Sequence, residues 1–385
     1  MKTPYTHIET KLIHAGEPRP GIEGAVCLPI FQSAMFETAG ESRYHDIRYI
    51  RLNNTPNHRA LHTKLAALEN AEAALVTASG MAAITTSLLT LLSSGDHLLV
   101  QDCLYGGTHD FLSHDFASFG LSYDIIDAND PQSWQSKLKP TTRAIYIETL
   151  SNPLLQLCDL ESVVRFAREN NLVSLIDNTF ATPVNFRPAE KGFDLSLHSC
   201  SKYLNGHSDI VGGAIIGRKD LVEKITFKLN HLGGTMDPHA CFLLHRGMKT
   251  LAVRIKHQNR SALRIAEFLD NHEGVVKVNH PGLKSHPYYD AARKYLDGFG
   301  GMLSFEIVGG VEAAKRFMET TVLPIIAPSL GGIETLLTRP AVTSHSGMSP
   351  EDRAGMGISD SLIRVSVGLE ATEELIADFK QALET

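Results

Sequence analysis

The chain has 385 residues, 43% of them hydrophobic and 21% charged, and a formal net charge of −7. That length favours two domains over a single core, and that charge argues against nucleic acid or an anionic membrane surface as a partner. No apolar run approaches the roughly 18 residues needed to cross a bilayer. The N-terminal stretch Met1-Lys2-Thr3-Pro4 lacks the apolar core of a secretory signal. Cys27, Cys103, Cys158, Cys200 and Cys241 are widely spaced and odd in number. They predict reduced thiols in a cytoplasm, with neither a disulfide frame nor a metal site.

Residues 1–55 carry Gly16, Pro18, Pro20, Gly21, Gly24 and Pro29 and little helical period. They predict an arm that packs on something other than itself. Leu61, Leu65 and Leu68 recur at helical spacing and predict a surface helix over 57–71. Residues 74–77 read as a strand, 78–81 as a small-residue turn and 82–92 as a buried helix. Strand, turn and helix in that order offer free amides and a positive helix end to an anion, though many α/β turns share the pattern.

Strands are predicted near 97–101, 122–126 and 143–147, a helix near 158–169, and a buried strand over 172–176 that runs straight into Asp177. A carboxylate at the end of such a strand lies where open α/β sheets place ligand contacts. Leu195 and Leu197 alternate with polar residues as in a short strand, and Ser199, Ser201 and Lys202 follow. A lysine at a strand end, flanked by hydroxyls, suits amine nucleophile chemistry, including a Schiff base with an aldehyde cofactor. Residues 203–208 are turn-rich, and 210–216 read as a buried strand. The pattern changes near Pro238, where one long helix to about 271 is expected to join two domains. Strands at 302–307, 322–326 and 362–367 and helices at 311–318 and 371–383 complete the C-terminal part.

Ser199-x-Ser201-Lys202-Tyr203, followed by Gly206-His207-Ser208-Asp209, resembles the cofactor-lysine motif of the Cys/Met-metabolism family of pyridoxal phosphate enzymes. The resemblance runs from about Leu12 to about Ala382. It implies an α/β fold of type I, with a mostly parallel seven-stranded sheet in a large domain (56–245), a smaller α/β domain (246–385) and an arm (1–55) reaching a neighbouring subunit. It implies pyridoxal 5'-phosphate bound to Lys202, with Asp177 pairing the ring nitrogen. Tyr105 is implied to stack on the ring and relay protons, and Asn152 to bond the ring hydroxyl and the substrate carboxylate. Ser79, Gly80 and Met81 match the family's phosphate loop, with Ser199 and Ser201 beside the lysine. Tyr49 and Arg51 match a Tyr-x-Arg pair that serves the partner's phosphate, an anion suited to a guanidinium fork. Ser329 and Leu330 match the substrate loop. Arg364 matches the arginine that clamps the substrate α-carboxylate. A cytoplasmic homotetramer, a dimer of dimers, is the implied assembly.

The same resemblance narrows the reaction. The family's γ-synthases and γ-lyases usually carry arginine five residues after the stacking tyrosine, where this chain has Asp110. They carry glutamate before Ser-Leu-Gly, where this chain has Pro328. Asp110-Phe111 resembles the enterobacterial kind of cystathionine β-lyase, although Leu330 replaces that group's tryptophan. The expectation is a carbon–sulfur lyase that performs α,β-elimination of L-cystathionine. Its alternatives are α,γ-elimination, γ-replacement of an activated homoserine, and cofactor binding without turnover.

Overall fold

The computed structural model describes residues 4–38 and 40–385, so the first three residues of the expected arm and Ala39 lie outside the described residues. Helix α1 (Ile8–His14) gives the arm more regular structure than its Gly and Pro content predicts. Its Leu12 is fully buried against helix α2 (Pro56–Leu68), so this part of the arm packs on its own chain. Helix α2 is not the expected surface helix. Leu61, Leu65 and Leu68 are fully buried, because α1 and the helix Pro238–Met248 cover the face that the sheet leaves free.

Short runs rich in Val, Ile, Leu and Ala form seven strands: β1 (Ala73–Thr77), β2 (His97–Gln101), β3 (Ser122–Ile126), β4 (Thr142–Glu148), β5 (Val173–Asp177), β6 (Leu195–Ser199) and β7 (Gly213–Gly217). They lie in the order β1-β7-β6-β5-β4-β2-β3, with β7 alone antiparallel to its neighbours. The central strands are buried on both faces, as a sheet with helices on each side requires. Helix α3 (Gly80–Leu91) and the helix Lys219–Leu232 cover one face; α2 and the helix Leu160–Glu169 pack on the other. This is the expected α/β fold with a mostly parallel seven-stranded sheet.

The polar residues of β6 do not face water as their alternation suggests. Ser196 and His198 are buried, and both bond Glu69 Oε1, at 3.1 and 2.7 Å. Glu69 and His198 are fully inaccessible, so removing one strands the other in a low-dielectric interior. Glu69→Ala is expected to destabilise the fold by about 3–5 kcal/mol. Chemical unfolding of the variant beside the parent protein measures this; an unchanged midpoint overturns it.

The C-terminal sheet has strands β8 (Val275–Asn279), β9 (Met302–Ile307), β10 (Ile325–Ile326), β11 (Leu336–Thr338) and β12 (Ile363–Ser366), in the order β10-β11-β12-β9-β8. The expected strand at 322–326 shrinks to two residues. The Asp378 carboxylate takes the N–H groups of Val322 and Leu323, and residue 324 is a proline with none to give. The expected helix over 238–271 is two, Pro238–Met248 and Leu251–Asp270. The break follows Gly247, where a Cβ would lie 2.4 Å from the Asn205 carbonyl oxygen.

Candidate active site

The parallel strands β4, β5 and β6 end side by side at Glu148, Asp177 and Ser199, and a cleft of about 1100 Å³ opens beyond them. Its floor is this sheet edge, and its far wall is the segment 325–336 with Thr343, Ser344 and Arg364 of the C-terminal part. Ligands of open α/β sheets gather at such an edge because strand ends and helix N-termini converge there.

One end of the cleft is the start of α3. The Ser79 hydroxyl caps the helix by accepting the Ala82 N–H at 3.0 Å. The amides of Gly80 and Met81 have no carbonyl a turn earlier to bond, so they are free to meet an anion. Residue 80 has to be glycine: a Cβ there would lie 2.9 Å from that of Ser199. Ser201 accepts the Gly212 N–H at 3.0 Å, which fixes the turn between β6 and Lys202.

Lys202 projects into the cleft from that turn, with Nζ 2.6 Å from the Ser329 hydroxyl. Burial, and then the charge of Arg364, lower its amine to about 8. The turn is anchored from behind by Arg254, whose buried guanidinium donates to the carbonyls of Tyr203 at 2.8 Å, Asn205 at 3.3 Å and Gly247 at 3.0 Å. Ser329 holds a positive φ of 89°, a strained value for a residue with a Cβ and a mark of functional sites. Its carbonyl accepts Arg364 Nη2 at 2.8 Å, while Arg364 Nη1 donates to Asn152 Oδ1 at 3.0 Å. Arg364 is buried, and its Nε has no partner among the described residues.

Asp177 is half-buried at the cleft floor and accepts the Thr179 N–H at 2.9 Å. Burial raises its carboxyl, opposed by the bonds from Thr179 and by nearby His198. Tyr105 stands at the start of helix α4 (Gly106–Asp110), its N–H held by Glu148 Oε1 at 2.5 Å. Gly107 gives its ring room, since a Cβ there would lie 2.7 Å from Tyr105 Cε1. Burial and Asp177 raise the Tyr105 phenol, so it stays protonated at neutral pH.

The cleft thus gathers Ser79, Gly80, Met81, Tyr105, Asn152, Asp177, Ser199, Ser201, Lys202, Ser329, Leu330 and Arg364 from twelve separate positions of the chain. Asp110 is not among the lining residues; its side chain is 65% exposed and lies beside His109 at the end of α4. Tyr49 and Arg51 also lie outside this chain's cleft, where Arg51 donates to the Asn230 carbonyl at 2.7 Å and to the Tyr44 hydroxyl. Glu148, Thr179 and Ser344 line the cleft without having been expected there, while Glu334 lines it as a member of the expected substrate loop. Glu148 carries the same signal as Asp177, an acid that ends an apolar strand. Ser344 carries none, since it lies on an irregular loop.

Comparison with known proteins decides the family. Residues 9–384 match the model of the family described as "Cys/Met metabolism PLP-dependent enzyme". The chain belongs to that family. It is 40% identical to a cystathionine β-lyase of Lactococcus lactis, over 98% of this chain and 99% of that one. It is 39% identical to an L-methionine γ-lyase of Treponema denticola, over 97% and 96%. A solved cystathionine γ-lyase from Lactobacillus plantarum, in complex with L-serine, superposes with a TM-score of 0.94 at 36% identity, covering 98% of this chain and 99% of that one. This Cys/Met-metabolism chain therefore is a pyridoxal phosphate-dependent enzyme of the lyase family. Its own geometry fits that cofactor: a reachable amine of lowered basicity, free helix-start amides and a half-buried carboxylate all face one cleft.

Proposed function

We propose that the chain is a carbon–sulfur lyase that converts L-cystathionine to homocysteine, pyruvate and ammonia by α,β-elimination. The observation that carries a lyase is the convergence of Lys202, Asp177, Tyr105, Asn152 and Arg364 on one cleft. Pyridoxal phosphate, when bound, supplies the electron sink that makes the α-proton of an amino acid removable. Lys202 Nζ holds the cofactor and then takes that proton, a role its lowered basicity favours. The Gly80 and Met81 amides hold the phosphate, assisted by Ser79, Ser199 and Ser201. Asp177 partners the ring nitrogen, and Tyr105 covers the ring. Arg364, steered by Asn152 and the Ser329 carbonyl, holds the α-carboxylate. The protonated Tyr105 phenol gives its proton to the departing sulfur.

Elimination at Cβ is favoured by Pro328 and Asp110, where γ-specific relatives usually carry glutamate and arginine, and by the similarity to a cystathionine β-lyase. Asp110 can act on specificity from the outer edge of the site, beyond the lining residues. A second reading, γ-elimination of L-methionine, is favoured by the apolar wall of Ile210, Val211, Ile325 and Leu336, which suits a methyl thioether, and by the similarity to a methionine γ-lyase. The assembly proposed is a dimer of dimers in the cytoplasm, with Tyr49 and Arg51 serving a neighbour's phosphate. Its support is the exposed apolar side chains of the arm, Val26, Met35 and Tyr44.

The keto acid formed by the holoenzyme tests the reaction. Pyruvate with homocysteine from L-cystathionine is the expected result. Release of 2-oxobutyrate with cysteine overturns β-elimination. 2-Oxobutyrate with methanethiol from L-methionine, and no turnover of cystathionine, establishes the second reading.

A further inference from the structure

The cofactor reading uses one carboxylate at the sheet edge, but the cleft floor holds two. Glu148 ends β4 and Asp177 ends β5, and the two are register partners in the parallel pair. Paired residues of neighbouring parallel strands project from the same face, with backbones about 4.8 Å apart. Both side chains line the cleft, Glu148 buried and Asp177 half-buried beside it. Two carboxylates this close in a low-dielectric pocket do not both ionise.

The surroundings decide which keeps the proton. Asp177 receives the Thr179 N–H at 2.9 Å, faces Tyr146 of β4, and feels His198 of β6. Each of these favours its anion. Glu148 receives one N–H, from Tyr105. The other groups facing Glu148 are Tyr146 on its own strand, the phenol of Tyr105, and the thiols of Cys103 and Cys158, all neutral and none able to offset its charge. The cations of the cleft, Lys202 and Arg364, are turned to Ser329 and Asn152.

We propose that Glu148 is a positioning residue that stays protonated, leaving Asp177 as the single anion of the floor while its own Oε1 fixes the Tyr105 backbone over the cleft. Burial, followed by the charge of Asp177, pushes the Glu148 carboxyl well above the usual carboxylate range, in keeping with this assignment. The role in catalysis rests on the pyridoxal phosphate reading, in which Asp177 meets the ring nitrogen. The protonation itself does not, so the two can fail separately.

The test uses the protein freed of cofactor. At pH 8, the infrared difference between the parent protein and Glu148→Gln is expected to contain the C=O stretch of a protonated carboxylic acid. An acid that is protonated when folded and ionised when unfolded contributes stability that is present at low pH and lost as pH rises above its unfolded value. The unfolding equilibrium constant of the parent protein is therefore expected to rise relative to that of Glu148→Gln by about tenfold per pH unit above roughly pH 5, until Glu148 ionises in the folded protein. The melting temperatures of the two proteins should coincide in acid and diverge toward pH 8. A difference spectrum showing only a carboxylate, or melting curves that stay parallel with pH, overturns the proposal. If the glutamine variant does not fold, parent protein with isotopically labelled glutamate reports the same carboxyl band directly. Asp177→Asn separates the two carboxyls. It relieves Glu148 of its charged neighbour and is expected to let the Glu148 band fall away at lower pH; an unmoved band overturns the pairing.

Discussion

Replacing Lys202 by alanine is expected to remove both the attachment point of pyridoxal phosphate and the base at the α-carbon. Turnover should fall by at least about 10²–10⁴-fold, the usual contribution of a positioned general base. The visible absorption of a lysine-bound pyridoxal phosphate should be absent. The reason is geometric, because Lys202 Nζ is the amine directed into the cleft, 2.6 Å from Ser329 Oγ, while Arg254 holds its turn in place. A spectrum of Lys202→Ala with added cofactor, read beside keto acid release, measures both losses. A retained lysine-type band, or unchanged turnover, would sink the assignment. The amine basicity of about 8 adds a pH signature. Capture of the aldehyde needs the neutral amine, so cofactor uptake by the stripped protein should accelerate as pH rises toward about 8 and level off above it.

The second large effect is expected at Arg364. Truncating a buried guanidinium that pairs with a carboxylate costs about 2–5 kcal/mol. Arg364→Ala should therefore raise KM for the amino acid by about 30-fold to several thousand-fold. The carboxylate is held alike before and during reaction, so most of the loss should fall on KM and less on kcat. Arg364→Lys keeps the charge but loses the planar fork, so it should recover part of the affinity. Arg364 also bonds Asn152 and the Ser329 carbonyl, so the melting temperature of each variant has to be measured as well. An alanine variant that keeps its fold and the parent KM would remove Arg364 from substrate binding.

These effects depend on groups that no stretch of sequence brings together. Lys202 and Arg364 are 162 positions apart (364 − 202), yet both bond Ser329. Ser329 in turn reaches them through a strained backbone that the sequence does not announce.

What the sequence determined by itself is local. Apolar runs that end in Asp177 or in Ser199-Cys200-Ser201-Lys202 declare strand ends with reactive groups, because a buried strand has to be apolar and its end has to meet water or a ligand. Residues 78–81 before an apolar helix offer free amides to an anion, a pattern many α/β turns share, and only the resemblance to the family's phosphate loop singles it out. The recurring strand–helix pattern declares a parallel sheet, since parallel strands need crossovers.

What only the tertiary structure decided depends on which surfaces meet. Helix α2 looked amphipathic and became buried, because α1 and the helix Pro238–Met248 came down on its outer face. The long helix after Pro238 is interrupted between Met248 and Leu251, next to the point where Gly247 closely approaches the Asn205 carbonyl. The strand near 322–326 shortened because Asp378, more than fifty residues later, captured its amides. Glu148 became a partner of Asp177 through the register of β4 on β5, which sequence alone does not set. Asp110, at the end of α4, is exposed and outside the cleft lining, although its charge still reaches the Tyr105 phenol. In each case long-range contact outweighed local preference. A helix or strand fixes only its own backbone, and burial, charge pairing and close approach are settled by the neighbours it meets.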